Sequence, residues 1–190
     1  MTGTRVERLT SLADVHKALW LELGRAAQNR HHEWRTPVLA TLATNGLPDA
    51  RTVVLREVQV AARRLLIYTD ARAGKVAQLS AQPTAMLVLW SRQLGWQLRL
   101  RVHTEVLSDG LAVTSRWASL RATPAARDYL SPLAPGAALP IDGGPGPAAD
   151  RSHFALLEAT VQHIDWLELH PDGHRRAIFD GAAPGLWVNP

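Results

Sequence analysis

The chain has 190 residues, of which 46% are hydrophobic, a formal net charge of +4 and no cysteine. The length and the hydrophobic content predict one globular domain over residues 1–190. Without cysteine, the protein has no disulfide, no thiolate metal ligand and no cysteine nucleophile. No run approaches ~18 apolar residues and the first residues lack an apolar signal core, so we expect a cytoplasmic protein with no membrane partner.

The basic residues are scattered along the chain and are almost all arginine. Adjacent pairs occur only at Arg63-Arg64 and Arg175-Arg176, and there is no basic run of five or more residues. No nucleic-acid-binding motif is visible either. The sequence therefore indicates no nucleic-acid partner, in spite of the positive charge.

The first predicted element is a helix over residues 10–28. Ser11 with Asp14 provides a start signal, and apolar residues recur at helical spacing at Leu12, Val15, Leu19 and Leu23. The histidines and the glutamate that follow, at 31–33, are metal-ligand types. Adjacent histidines point apart, however, and no His-x-x-x-His spacing accompanies them, so we expect exposed polar residues here and no metal site.

Two predicted strands follow in close succession. The apolar run at 37–43 ends in Thr44-Asn45-Gly46, a strong hairpin signal. The next predicted strand, 51–56, reads Arg-Thr-Val-Val-Leu-Arg. Strict alternation would place Arg51 and Arg56 on opposite faces. Either the strand twists or bulges, or each arginine has a different role, and we favour the second interpretation.

A further strand, 65–70, runs into a predicted helix start at 71–76. Tyr68 and Thr69 end the strand, and Lys75 lies in the first turn of the helix. The amino-terminal end of a helix carries unpaired N–H groups and a partial positive charge, which favour an anion. With Arg51 at the start of the preceding strand, the pattern indicates a phosphate site.

The later strands show the clearest alternation in the chain. Residues 84–89 form an apolar strand, and Leu98, Leu100, Val102 and Val106 define the core face of the next one. The polar face of that strand, called the polar stripe below, consists of Gln97, Arg99, Arg101, His103 and Glu105. It meets water, a ligand or a second subunit.

The remainder of the chain, from residue 109, is predicted to contain two helical stretches, a long loop and two strands. The helices lie at 109–120 and 124–130, and the strands at 156–169 and 175–179, joined by a turn at 170–173. Residues 131–150 include five prolines and four glycines and are expected to form a lid, an arm lying on a partner subunit or a disordered loop. The histidines at 163, 170 and 174 fit no known metal-ligand spacing.

Four spaced pieces of this chain resemble the flavin-binding segment of the pyridoxamine 5'-phosphate oxidase-like family, the FMN-binding split barrels. They are the Arg-x-Val-x-Leu-Arg pattern at 51–56, the Tyr-Thr pair at 68–69, Lys75 at a helix start, and Gln97 before alternating apolar residues. The similarity runs from about Thr36 to Val106. Any one piece alone would fit an ordinary β-hairpin with surface arginines, whereas four in order favour the family.

The resemblance implies a mainly β (α+β) fold, an antiparallel split β-barrel with flanking helices, and a homodimer with FMN at the subunit interface. It places the phosphate on Arg51, Thr69 and Lys75, the polar edge of the flavin ring on Gln97, and Arg56 near the ring or the substrate. The implied cofactor-binding positions together are Arg51, Thr52, Val53, Val54, Leu55, Arg56, Tyr68, Thr69, Lys75 and Gln97.

The family also supplies an aromatic residue and an arginine for the phosphate of a small-molecule substrate. Trp117 and Arg121 match these positions, and their i,i+4 spacing puts them on one helix face. The open alternative is a buried tryptophan covered by an arginine stem.

The resemblance weakens near the C-terminus. Pyridoxamine phosphate oxidases carry an acidic-aromatic-Trp sequence and then Arg-x-His-x-Arg, whereas this chain has Asp-Trp-Leu at 165–167 and His-Arg-Arg at 174–176. This departure argues against oxidation of pyridoxamine 5'-phosphate. The alternative is that Arg175 or Arg176 shifts by one residue and restores the family's contact with the substrate. Arg176 is the candidate substrate-binding residue.

Three functions remain open from the sequence. The first is an FMN-dependent oxidoreductase acting on a small molecule, the second a non-catalytic flavin-binding or flavin-storage protein, and the third a basic interaction module. No catalytic residue is assigned, because flavin redox chemistry needs no obligatory acid–base group from the protein.

Overall fold

The computed structural model describes residues 8–139, 153–181 and 183–190. Three α-helices and two 3-10 helices flank a sheet of nine strands in this part of the chain. The α-helices are α1 (Leu12–Gln28), α2 (Gly74–Ala81) and α3 (Leu111–Leu120), and the 3-10 helices are Glu33–Arg35 and Pro124–Tyr129. The strands are β1 (Val38–Leu42), β2 (Pro48–Thr52), β3 (Leu55–Gln59), β4 (Arg64–Asp70), β5 (Thr84–Ser91), β6 (Trp96–Leu107), β7 (Phe154–Glu168), β8 (Arg175–Asp180) and β9 (Leu186–Val188).

The sheet closes on itself because of one short connection. The strand order is β2-β1-β5-β6-β7-β4-β3, with antiparallel pairing throughout. Six inter-strand spacings of ~4.8 Å would separate β2 from β3 by ~29 Å in a flat sheet. Only Val53 and Val54 separate these strands in sequence, and three Cα–Cα steps reach at most ~11 Å. The sheet must therefore curl, and because β2 and β3 are not paired in the described chain, the barrel stays split there.

The long strand β7 joins the barrel to a smaller extension. The first half of β7 pairs with β4, and the second half, from His163 to Glu168, pairs with β8, which in turn pairs with β9. The whole strand runs beside β6, the other long strand. The outer face of β6 and β7 is therefore continuous from the barrel to the extension.

The barrel is filled by one apolar core that α1 closes. Ser11 caps α1 by accepting a hydrogen bond from the Asp14 backbone N–H (3.0 Å). One face of the helix is buried, at Val15, Leu19, Trp20, Leu23 and Ala26. A second, smaller cluster lies under α3 and contains Tyr129, Phe154 and Leu156.

The predicted class, a mainly antiparallel β fold with flanking helices, is confirmed, as are α1 and the helix start at Lys75. The prediction of one strand over 51–56 is wrong, because β2 ends at Thr52 and β3 begins at Leu55. The helix predicted from Asp109 begins at Leu111, and the stretch 124–130 is a 3-10 helix. Residues 140–150 of the proposed arm lie outside the described part of the chain.

No helix within the three described ranges is long and apolar enough to cross a membrane.

Candidate functional site

The side chain of Arg51 is fixed between β1 and α2. It donates hydrogen bonds to Thr41 Oγ1 (2.6 Å) and Gln78 Oε1 (3.0 Å), and it forms an ion pair with Asp49 (2.5 Å). Arg51 pairs with Leu39 in the β1–β2 register, and Leu39 is fully buried, so Arg51 lies on the inner face of the sheet. The guanidinium is thus held rigidly, with Asp49 as its carboxylate partner.

Lys75 lies beside Arg51 in the first turn of α2. Burial, followed by the nearby Arg51 charge, lowers the pKa of Lys75, and Asp70 offsets this only in part. The Lys75 ammonium group forms no hydrogen bond or ion pair with any other described residue. The N-cap residue Ala73 contributes no side-chain cap. A half-buried cation without a partner, at the open amino-terminal end of a helix, is an arrangement that a phosphate group fits.

The loop between β4 and α2 is clamped by Arg72. Arg72 forms a two-point ion pair with Asp70 and donates to the Ser131 carbonyl (2.9 Å). The Ala71 N–H donates to the His153 carbonyl (2.8 Å). Both ends of the Pro/Gly-rich segment are thereby attached to the loop that precedes Lys75.

Thr69 is placed differently from the other predicted phosphate contacts. It is buried in β4, and its hydroxyl donates to the Asp70 carbonyl at 3.4 Å. Within the described chain, Arg51 and Lys75 are therefore the more accessible part of the predicted phosphate site.

A second cluster surrounds Arg56 and Tyr68. Arg56 lies over the Tyr68 ring, 5.5 Å from its centroid, and also interacts with the Tyr129 hydroxyl. The Arg56 Nε is buried and has no hydrogen-bond partner in the described chain. The Tyr68 hydroxyl donates to Glu57 (3.0 Å), and burial, followed by this hydrogen bond, raises the pKa of Tyr68 to about 12. Tyr68 is therefore a neutral hydrogen-bond donor here.

Glu57 connects this cluster to α3. Arg116 donates to both Glu57 carboxylate oxygens, each at 2.7 Å. The hydrogen bond from Arg116 is the main reason why the pKa of Glu57 is lowered. The pair ties α3, which carries Trp117, to β3, which carries Arg56.

The three predicted substrate contacts are in different places. Trp117 packs against Tyr129 and Phe154, with ring centroids 6.4 and 5.7 Å away, in the Arg56 neighbourhood. Arg121 follows α3 and is exposed. Arg176 is on β8, where it forms a two-point ion pair with Asp165 (2.9 and 2.7 Å).

The strand register divides the predicted residues into two groups. Gln97 pairs with Leu167, which pairs with Arg176, so Gln97 and Arg176 share the outer face at one end of β6. At the other end of β6, Leu107 pairs with Leu156, which pairs with Tyr68. Ten residues at ~3.3 Å each separate these ends by roughly 33 Å. One chain therefore brings Tyr68, Arg56 and Trp117 near one end of β6 and Gln97 and Arg176 to the other, whereas Arg51 lies opposite Leu100 through β1 and β5.

Four residues of the site were missed in the sequence: Gln78 and Asp49, which hold Arg51, and Glu57 and Arg116, which hold Tyr68 and α3. Arg116 and Glu57 are 59 positions apart, so no local pattern could have paired them. Gln78 lies one helical turn after Lys75, on the same side of α2, and this spacing was the one available signal.

The curled antiparallel sheet with flanking helices defines a split-barrel domain. A family model described as "Pyridoxamine 5'-phosphate oxidase, FMN-binding domain" matches residues 17–108. A pyridoxamine 5'-phosphate oxidase-related, FMN binding protein from Nostoc punctiforme superposes with a TM-score of 0.74 at 24% identity, covering 97% of this chain and 100% of that one. PhzG from Burkholderia lata, in complex with tetrahydrophenazine-1-carboxylic acid, superposes at 0.72 with 15% identity, covering 100% and 98%.

The sequence relatives have the same family name. A pyridoxine/pyridoxamine 5'-phosphate oxidase from Thermosynechococcus vestitus is 39% identical over 70 residues, which are 37% of this chain and 32% of that protein. One from Caulobacter vibrioides is 27% identical over 182 residues, covering 90% and 80%. The first of these matches thus spans about a third of the relative's length. Over residues 17–108 the chain thus matches the FMN-binding domain of the pyridoxamine 5'-phosphate oxidase family, and its fold is that of the related split barrels.

Proposed function

We propose that this protein binds FMN and is an FMN-dependent oxidoreductase acting on a small molecule. The observation that carries the proposal is the half-buried Lys75 cation, which has no partner in the described chain and lies beside Arg51 at the start of α2. Keeping such a cation desolvated is unfavourable for the free protein. A phosphate bound there would compensate for that cost through charge-assisted hydrogen bonds.

The residues divide the binding task by position. Arg51 and Lys75 would hold the phosphate, with Thr69 close by in β4. The backbone of 52–55 would contact the flavin, since the chain leaves the sheet there and its N–H and C=O groups are only partly used by strands. Bound flavin would supply hydride and electron transfer. The protein's own contribution is to bind, to orient and to exclude water.

Arg56 is the residue best placed to hold an anionic substrate. It is anchored over Tyr68, and its buried Nε has no partner in the described chain. Trp117 provides an apolar wall in the same neighbourhood. We therefore expect a small molecule with an anionic group and a planar or apolar body.

We propose a homodimer in which the second copy completes the site. The outer face of β1 and β5 exposes Val38, Leu42 and Trp90, and the polar stripe of β6 runs beside it. A two-fold axis near the middle of β6 would bring the Gln97 end of one copy to the Tyr68 end of the other. This would bring Gln97 and Arg176 of one copy to the Arg56 and Tyr68 cluster of the other, which one chain keeps roughly 33 Å apart along β6.

A non-catalytic flavin-binding protein is the second candidate, and the pairing of the C-terminal arginines favours it. Arg176 is engaged by Asp165, and Arg175 by Glu168 and by the Trp166 and Trp187 rings. Both guanidinium groups are therefore occupied and unavailable for the substrate contact that the Arg-x-His-x-Arg residues make in the family. We therefore expect weak or absent turnover of pyridoxamine 5'-phosphate.

The visible spectrum of the purified protein tests the cofactor. Flavin absorption bands that remain after gel filtration support the proposal, and a protein that neither carries nor takes up FMN refutes it. Reduction of the bound flavin by candidate donors then separates the oxidoreductase from the storage protein. Hydrogen peroxide release from pyridoxamine 5'-phosphate at ~1 per second or faster would show that the paired arginines do not prevent that reaction.

A further inference from the structure

A groove beside α1 is lined by none of the residues proposed for the flavin. It lies between α1 and the turn that joins β3 to β4, and its volume is about 600 Å³. Grooves and cavities that hold small organic molecules have volumes in this range. The residues used below are Trp20 on its floor, Leu21, Gly24 and Lys17 on the helix side, and Val60 and Arg63 on the turn side.

The floor of the groove is apolar and preformed. Trp20 is almost fully buried, and its indole N–H donates to His16 Nε2 (3.2 Å), so its polar atom is already satisfied. Burial, followed by the Arg63 charge, lowers the pKa of His16, which keeps the imidazole neutral and able to accept. Leu21 and Val60 remain 54% and 52% exposed on the two walls, so both walls offer apolar surface to a ligand.

The rim of the groove carries positive charge from both walls. Lys17 on α1 and Arg63 on the turn form no ion pair with any described residue, whereas Arg25 is paired with Glu22. The position of Arg63 is fixed by the backbone, because its carbonyl accepts from the Val161 N–H (2.9 Å). An apolar floor between two unpaired cations is complementary to an anion that has an apolar body.

Gly24 gives an independent indication that the space is used. It lies in the middle of α1, where glycine is less favourable than alanine. A Cβ added there would meet no atom within 4 Å, and the backbone does not require glycine. The folded chain alone therefore gives no reason for a glycine here, whereas a molecule lying over this turn of the helix would.

We propose that this groove binds a small aromatic or aliphatic carboxylate, with its apolar body on Trp20 between Leu21 and Val60 and its carboxylate between Lys17 and Arg63. This site is separate from the one proposed for FMN and does not depend on it. Its occupant is a free small molecule, not a protein segment.

Calorimetric titration of the intact protein with naphthalene-2-carboxylate tests the proposal, with 2-naphthalenemethanol as the matched neutral compound. Lys17→Gln or Arg63→Gln should weaken binding of the carboxylate roughly tenfold, as expected for loss of one charge-assisted contact, and should leave binding of the alcohol within about twofold. Arg127→Gln, an exposed arginine elsewhere, is the matched control and should change neither affinity.

Two substitutions of Gly24 separate occupancy from stability. Gly24→Ala and Gly24→Leu both remove the glycine from the helix, so both should raise the Tm, but only the leucine side chain should fill the groove and abolish binding. Lack of carboxylate binding by the wild type at millimolar concentration would overturn the proposal, as would unchanged binding by Gly24→Leu. If Gly24→Leu changes the oligomeric state in light scattering, the groove is an interface between copies of the chain and the proposal is wrong.

Discussion

Replacing Lys75 by methionine should weaken the binding of FMN and stabilise the protein without flavin. The side chain is half-buried and lies beside Arg51, and both effects lower its pKa. A lysine whose pKa is lowered by folding destabilises the folded state while it is charged, and stability is regained only as the pH rises through that lowered pKa. Below that lowered pKa the cost is fully present. Methionine keeps the length and the apolar stem, so the Tm of the flavin-free protein should rise.

The same substitution should lower the affinity for FMN by about 10- to 100-fold, since a hydrogen bond to a charged group contributes ~1.5–3 kcal/mol. Riboflavin, which lacks the phosphate, should bind both proteins equally. Titration by quenching of flavin fluorescence measures both affinities. Arg92→Gln, at an exposed position in the turn after β5, removes one charge elsewhere and should change neither. Equal losses for FMN and riboflavin, or a lower Tm for Lys75→Met, would refute the phosphate assignment.

Three further substitutions test the rest of the site. Gln97→Leu should weaken FMN and riboflavin by the same factor, because its predicted contact is with the ring; a loss confined to FMN in the same titration would contradict this. Met86→Arg places a charge on the outer face of β1 and β5 and should give a monomer with reduced flavin content. Light scattering with absorbance detection measures both properties. A flavin-loaded dimer would exclude this face as the interface. Arg116→Gln should lower stability by about 1 kcal/mol or less at pH 7. Because the pKa of Glu57 is lowered by folding, its contribution is lost as the pH falls through that pKa, so urea denaturation should show the gap to the wild type closing in acid.

The helix start at Lys75 could be predicted because its signals are local. A β-rich run ends at Asp70, and the following residues change to helix formers, so the lysine had to fall in the first turn. The polar stripe of β6 was equally visible, since alternation over Gln97–Glu105 is a property of one strand. Contacts that lie within one element are accessible to pattern analysis.

The break at Val53 and Val54 could not be predicted, because both residues strongly favour β structure. It arises from closure of the barrel, which requires the chain to pass from one edge of the sheet to the other at this point. Different roles for Arg51 and Arg56 were predicted from the alternation of one continuous strand over 51–56. That strand is divided, but the two arginines still lie in different surroundings. Arg51 is held between β1 and α2, and Arg56 lies over Tyr68 on another strand.

What the sequence could not reveal is which cations are already paired. The sequence does not distinguish paired from unpaired arginines. In the fold, Arg72, Arg116 and Arg176 each bind a carboxylate at two points. A guanidinium held in this way has few donors left for a ligand, and removing its carboxylate partner would leave a charge uncompensated. The cations without a carboxylate partner in the described chain include Lys75 at the proposed phosphate site and Arg56 in the Tyr68 cluster. Both are partly buried, unlike exposed cations such as Arg92 and Arg121. Their burial beside a helix start and an aromatic wall is the strongest structural reason to expect an anionic ligand there.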